Sequence, residues 1–199
     1  MPVSFLSLGD SYTIGEQVLL TDSFPYQVVQ LLREAGVQVY APEIIAKTGW
    51  TTDELTASME LITFLPQYEL VSLLIGVNNQ YRGRTLDNFK TEFTGLLERA
   101  IRFSGGNSQN VYVLSIPDWG VTPFAEGRDR QQIAKEIDHY NDVCRMIAAE
   151  LQCRYIDITD SQRIDGNKPE FLAADGLHPS GKEYAKWAAL LATAIISGI

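Results

Sequence analysis

The sequence predicts an α/β protein, a parallel sheet covered by helices on both faces. Three observations carry that prediction. Short runs rich in Val, Ile and Leu alternate with helix-period segments along the whole chain, which is the pattern of a parallel sheet with crossover helices. Residues 70–75 are apolar at every position but Ser72, as expected of a strand buried on both faces. Turn and capping signals separate the runs, with no internal repeat, low-complexity tract or linker. At roughly 150 residues per domain, the 199 residues read as a single domain over 1–199.

Taken in order, residues 3–8 form a first strand that ends in the turn Gly9-Asp10-Ser11. Ser23 opens a helix that tolerates Pro25 in its first turn and stops at Gly36. Residues 37–46 are extended, interrupted by Pro42, and Thr51-x-x-Glu54 is a capping-box pattern that opens a short helix. After the strand at 70–75, Leu86, Phe89, Phe93, Leu96, Leu97, Ala100 and Ile101 recur at helical spacing. Residues 111–116 are the next strand, and Ile133, Ile137, Tyr140, Cys144 and Ile147 mark a long amphipathic helix. A last strand covers 155–158. Ser180-x-x-Glu183 then caps a final helix that carries Tyr184, Trp187, Leu190, Leu191 and Ile195 inward. The count is about five strands.

Composition narrows the function. Sixteen basic against 25 acidic residues give a net charge of −9, which disfavours nucleic acid and anionic membrane surfaces as partners. Two cysteines, Cys144 and Cys153, match no zinc spacing and no C-x-x-C motif, so they read as reduced core residues. With only two histidines besides, the chain offers no soft-metal cluster. No apolar run reaches the roughly 20 residues needed to span a bilayer. The N-terminus lacks the charged and apolar regions of a secretory signal, so the expectation is a cytoplasmic protein, an export signal removed earlier being the alternative.

In a parallel sheet, ligands bind beyond the carboxyl ends of the strands, so the chemistry is sought in the loops that follow them. Ser11, directly after the first strand, is placed either to project a nucleophilic hydroxyl or to cap a helix, and taken alone the cap is the better reading. Asp175 and His178, three apart on a tight turn, either pair a carboxylate with an imidazole or form a surface turn. The other histidine, His139, lies about 130° from the apolar stripe of its helix and belongs to the solvated face. Gly49, just before the helix capped at Thr51, and Asn78, after the strand at 70–75, could donate hydrogen bonds to a developing oxyanion. A turn glycine and an Asx-turn are the plainer readings of these two.

Gly9-Asp10-Ser11, Gly49, Gly76-x-Asn78 and Asp175-x-x-His178, in that order from residue 9 to residue 178, resemble the four sequence blocks of the SGNH (GDSL-type) hydrolases. The first block ends in Ser-Tyr where the family more often has Ser-Leu, a change beside the nucleophile that bears on the pocket wall. The resemblance implies a three-layer α/β/α, flavodoxin-like fold with a five-stranded parallel sheet. It implies a serine hydrolase without cofactor or metal, acting on a small-molecule acyl ester through an acyl-enzyme. Ser11 would be the nucleophile, His178 the base and Asp175 its partner, with Ser11, Gly49 and Asn78 forming the oxyanion hole. Short-chain esters are the leading substrates. Acetylated carbohydrate, lysophospholipid and thioester are the alternatives within the family, and a phosphate- or nucleotide-binding flavodoxin-like domain is the alternative outside it.

The loops add hints about the pocket. Trp119, with Phe124, either lines the acyl or leaving-group side or packs on the domain. Tyr81 and Arg82 could face the same crevice, whereas Arg82, Arg84, Arg128 and Arg130 read first as solvated surface charges. No inserted segment is long enough for a lid domain, so an open crevice suited to short acyl chains is expected.

Overall fold

The computed structural model describes residues 2–198. Its centre is a five-stranded parallel sheet of order β2-β1-β3-β4-β5. The strands are β1 (Phe5–Asp10), β2 (Glu43–Lys47), β3 (Leu70–Leu74), β4 (Val111–Leu114) and β5 (Arg154–Ile156). Every residue of β1, β3 and β4 is buried, while the edge strands β2 and β5 are only half-buried. This burial explains the apolar runs in the central strands. Ser72, the polar residue in β3, meets Ser7 of β1 across the ladder, hydroxyl to hydroxyl at 2.8 Å, so its burial leaves no polar group unsatisfied.

Eight helices flank the sheet among the described residues: α1 (Ser11–Ile14), α2 (Phe24–Glu34), α3 (Thr52–Met59), α4 (Val77–Tyr81), α5 (Leu86–Phe103), α6 (Arg130–Glu150), α7 (Thr159–Asp165) and α8 (Gly181–Ile196). Helix α2 packs on α8 on one face, while α5 contacts α3 and α6 on the other, giving three layers. The expected helix after Ser23 is present, with Ser23 at its N-cap and Pro25 in its first turn. In α3 the Glu54 carboxylate reaches back to the Thr51 N–H at 2.9 Å.

Three expectations need correction. Pairing in the second strand starts at Glu43, after Pro42, because proline cannot donate to a ladder; residue 39 makes only an isolated bridge to Val3. Leu190 of α8 is 44% exposed rather than inward, one position off the stripe of Tyr184, Trp187, Leu191 and Ile195. Glu183 does not complete a capping box. Its buried carboxylate accepts from Trp187 Nε1 at 3.0 Å and Ser161 Oγ at 2.9 Å and pairs with Lys186. Ser180 caps α8 alone, through Lys182 N–H.

The strand order reverses between β1 and β3, since β1 is followed in sequence by β2 on one side and then by β3 on the other. At such a switch point the connections leave in opposite directions and open a crevice at the carboxyl ends of the strands. The residues that follow β1, β2, β3 and β4 are therefore gathered at one rim.

Candidate active site

Ser11 is the first residue after β1 and opens the single-turn α1. The cap of that turn is Asp10, whose Oδ1 accepts from Tyr12 N–H at 3.0 Å. Capping therefore does not occupy Ser11, and its Oγ lies 2.9 Å from His178 Nε2. On the other side of the ring, His178 Nδ1 is 2.6 Å from Asp175 Oδ2. A carboxylate only accepts, so the ring proton sits on Nδ1 and the lone pair on Nε2 faces the serine hydroxyl. Asp175 Oδ1 meanwhile accepts from the Leu177 and His178 N–H groups, both at 3.0 Å. Asp175 caps the turn with one oxygen, as the surface-turn reading has it, but His178 is buried rather than exposed and takes the other oxygen.

Ser11 and His178 are 4% and 6% exposed, and the Tyr12 ring packs 5.1 Å from the imidazole. Partial burial works to raise the Asp175 carboxyl. The hydrogen bonds from the His178 ring and from the two backbone N–H groups outweigh it and hold the carboxyl below its ordinary range. Asp10 moves the other way. Complete burial outweighs its bond from Tyr12 N–H and lifts it to about 7, and its Oδ2 has no hydrogen-bond partner.

Gly49 follows β2 with φ +84°, a conformation that favours glycine on backbone grounds, since an added Cβ would meet nothing closer than 3.6 Å. Gly76 follows β3 at φ +132°, where a Cβ would also fall 2.6 Å from Ile116. It turns the chain into α4, which presents Asn78. One Asn78 amide hydrogen goes to the Trp50 carbonyl at 3.0 Å, and the second remains for the crevice. Ser11, Gly49, Asn78 and His178 all border one cavity of about 180 Å³. The first residue of a helix has no intrahelical partner for its N–H, so Ser11 N–H is a further donor at the same rim.

The family model for the GDSL-like lipase/acylhydrolase family matches residues 7–186. The chain belongs to this family. No curated protein sequence matches it significantly. Among solved structures it is similar to a lipase/acylhydrolase from Enterococcus faecalis, at 21% identity over 99% of this chain and 96% of that one, with a TM-score of 0.77. It is similar to TesA at 16% identity, over 98% and 99% of the chains, with a TM-score of 0.76. An acetylxylan esterase from Geobacillus stearothermophilus gives 20% identity over 98% and 93%, with a TM-score of 0.71. At these identities the likeness is one of fold, that of the SGNH hydrolases.

Other residues of this GDSL-type hydrolase fall where the sequence leaves them open. Trp119 is 4% exposed and borders the cavity with Tyr81 and Phe124. Arg82 and Arg130 are exposed, as the surface reading expects, and each also donates to a backbone carbonyl. Arg82 Nη2 donates to the Gly49 carbonyl at 2.6 Å while its other nitrogen pairs with Glu54, and Arg130 donates to the Gly120 carbonyl. Arg84 pairs with Asp53, and Arg128 lies over the Tyr81 ring at 5.8 Å.

Asn79 and Gln80 are buried and were not legible as site residues. Asn79 accepts from Thr52 N–H at 3.1 Å and donates to Thr52 Oγ1 at 2.7 Å, tying α4 to the start of α3. With Asn78 and Arg82 it staples the Gly49 loop to α4. His139 is exposed on α6 and takes no part in the cavity. Cys144 and Cys153 are free, and burial pushes both thiols up, Cys153 to about 11. No group of three His, Cys, Asp or Glu side chains suited to a metal ion occurs among the described residues. No described helix is long and apolar enough to cross a membrane.

Proposed function

We propose that this GDSL-type hydrolase is a serine esterase that cleaves short-chain acyl esters through an acyl-enzyme. The observation that carries the reading is the continuous chain Ser11 Oγ–His178–Asp175, at 2.9 and 2.6 Å, at the floor of a small cavity. As Ser11 Oγ bonds to the ester carbonyl carbon, its proton passes to His178 Nε2. The carbonyl oxygen becomes an oxyanion beside the Ser11 and Gly49 N–H groups and the free Asn78 amide hydrogen. Collapse breaks the bond to the alcohol oxygen, which takes the proton from His178. Water then repeats the sequence on the acyl-serine, its proton going to His178 and on to Ser11 as the acid leaves. Asp175 keeps the ring in the productive tautomer and stabilises the imidazolium.

The cavity size supports short acyl groups. About 180 Å³ is below the roughly 300–1,000 Å³ of sites that bury a drug-sized ligand. The wall is apolar and aromatic, from Val77, Tyr81, Trp119, Phe124 and Leu177. A second reading, deacetylation of a carbohydrate, is favoured by Tyr81 and Phe124, which stand 47% and 44% exposed at the cavity and could stack on a sugar ring. Ser11→Ala tests the common mechanism: hydrolysis of p-nitrophenyl acetate should vanish while thermal unfolding is unchanged. Turnover within about tenfold of native would sink it.

A further inference from the structure

Trp119 is held from three directions. Asp118, 1% exposed, caps its turn through Gly120 N–H at 2.9 Å and is itself clamped by Arg163 Nε at 2.9 Å. The Trp119 carbonyl accepts from Thr122 Oγ1 at 2.7 Å. The indole Nε1 donates to Gln80 Oε1 at 2.8 Å, and Gln80 Nε2 donates to Glu136 Oε2 at 2.7 Å. Indole N–H only donates and a carboxylate only accepts, so the side chain between them must offer an acceptor on one side and a donor on the other. An amide does so. A carboxylate there would face Glu136, and an aliphatic chain would leave the buried indole N–H without a partner.

We propose that Gln80 is the positioning residue that sets the acyl-chain limit of the cavity, by fixing the indole of Trp119 as its wall. The proposal rests on the esterase reading above and adds the side of the ester this wall meets. Tyr81, next to Gln80 on α4, packs edge-on against Trp119 at 5.3 Å, and Phe124 stands 6.0 Å from it. The three rings therefore form one contiguous wall, with the indole at its centre.

The test is a series of p-nitrophenyl esters from acetate to octanoate, run beside a series of acetate esters of different alcohols. In Gln80→Leu the ratio of kcat/KM for octanoate over acetate should rise at least about tenfold, the scale on which apolar pockets discriminate chain length. Trp119→Ala should shift it further. In Trp119→Phe/Gln80→Leu the ring stays and no N–H is orphaned, so the profile should return toward native, which a general loss of packing would not produce. Labelling of Ser11 by a small fluorophosphonate should stay within about threefold of native in Gln80→Leu, which keeps the wall separate from the triad. An unchanged acyl profile in Gln80→Leu, or a change confined to the alcohol series, overturns the proposal. Native chain that hydrolyses no ester overturns the esterase reading and this proposal with it.

Discussion

Asn78→Ala separates the oxyanion's stabilisation from the stability of the fold. The side chain makes one hydrogen bond to the protein, Nδ2 to the Trp50 carbonyl at 3.0 Å, and stands half-buried where water can replace it. Losing one such bond costs about 0.5–1.5 kcal/mol of stability. For a chain of this size each kcal/mol lowers Tm by roughly 2–4 °C. The loss in turnover should be far larger, because an oxyanion donor acts only as the charge develops. Removing one costs about 100- to 1,000-fold in kcat, or about 2.7–4 kcal/mol. Steady-state kinetics on p-nitrophenyl acetate would read this as a fall in kcat with little change in KM, with thermal unfolding run in parallel. Asn79→Ala is the matched control. It leaves Thr52 without two buried partners, so it should lower Tm more and kcat less. A kcat for Asn78→Ala within about threefold of native would refute the assignment of its amide to the oxyanion.

Two further predictions follow from the carboxylates. Asp175→Asn would leave His178 in the wrong tautomer, and kcat should fall by roughly 10⁴-fold. Because the Asp175 carboxyl sits below its ordinary 3.8, the stability it contributes is present above that value and is lost as pH falls through the depressed one. The acid flank of the Tm–pH curve should therefore flatten in this variant, and a curve parallel to native would contradict the pairing. Asp10, lifted to about 7, has the opposite sign: its stabilising term is complete below 3.8 and is lost as pH rises through about 7. Asp10→Asn keeps the acceptor for Tyr12 N–H, and its Tm should gain on native steadily between those two values, whereas a constant difference would refute the buried ionisation.

The candidate site is legible through the order of its four blocks rather than through local chemistry, since Ser11 alone reads as a cap, Gly49 as a turn glycine and Asn78 as an Asx-turn. Ser11, Gly49 and Asn78 lie just after β1, β2 and β3, so once the strand order is known they share one rim. The capping pattern shows where local reasoning stops. Thr51/Glu54 behaves as read because both partners are local, and the same pattern at Ser180/Glu183 fails because Trp187 and Ser161 claim the carboxylate. Helices α1, α4 and α7 are four to seven residues long, too short to display a helical period. Gln80 and Asn79 escaped notice for a related reason. Their partners Trp119 and Thr52 lie 39 and 27 residues away, and amides in a polar stretch look like loop residues until the fold brings those partners in.

The central claim is that Ser11 forms the acyl-enzyme, and adduct mapping tests it most directly. The native chain, treated with a fluorophosphonate and digested, should carry one adduct per molecule, on Ser11, in step with loss of esterase activity. Activity that persists after Ser11 is fully labelled, or inactivation with the adduct on another residue, would contradict the account.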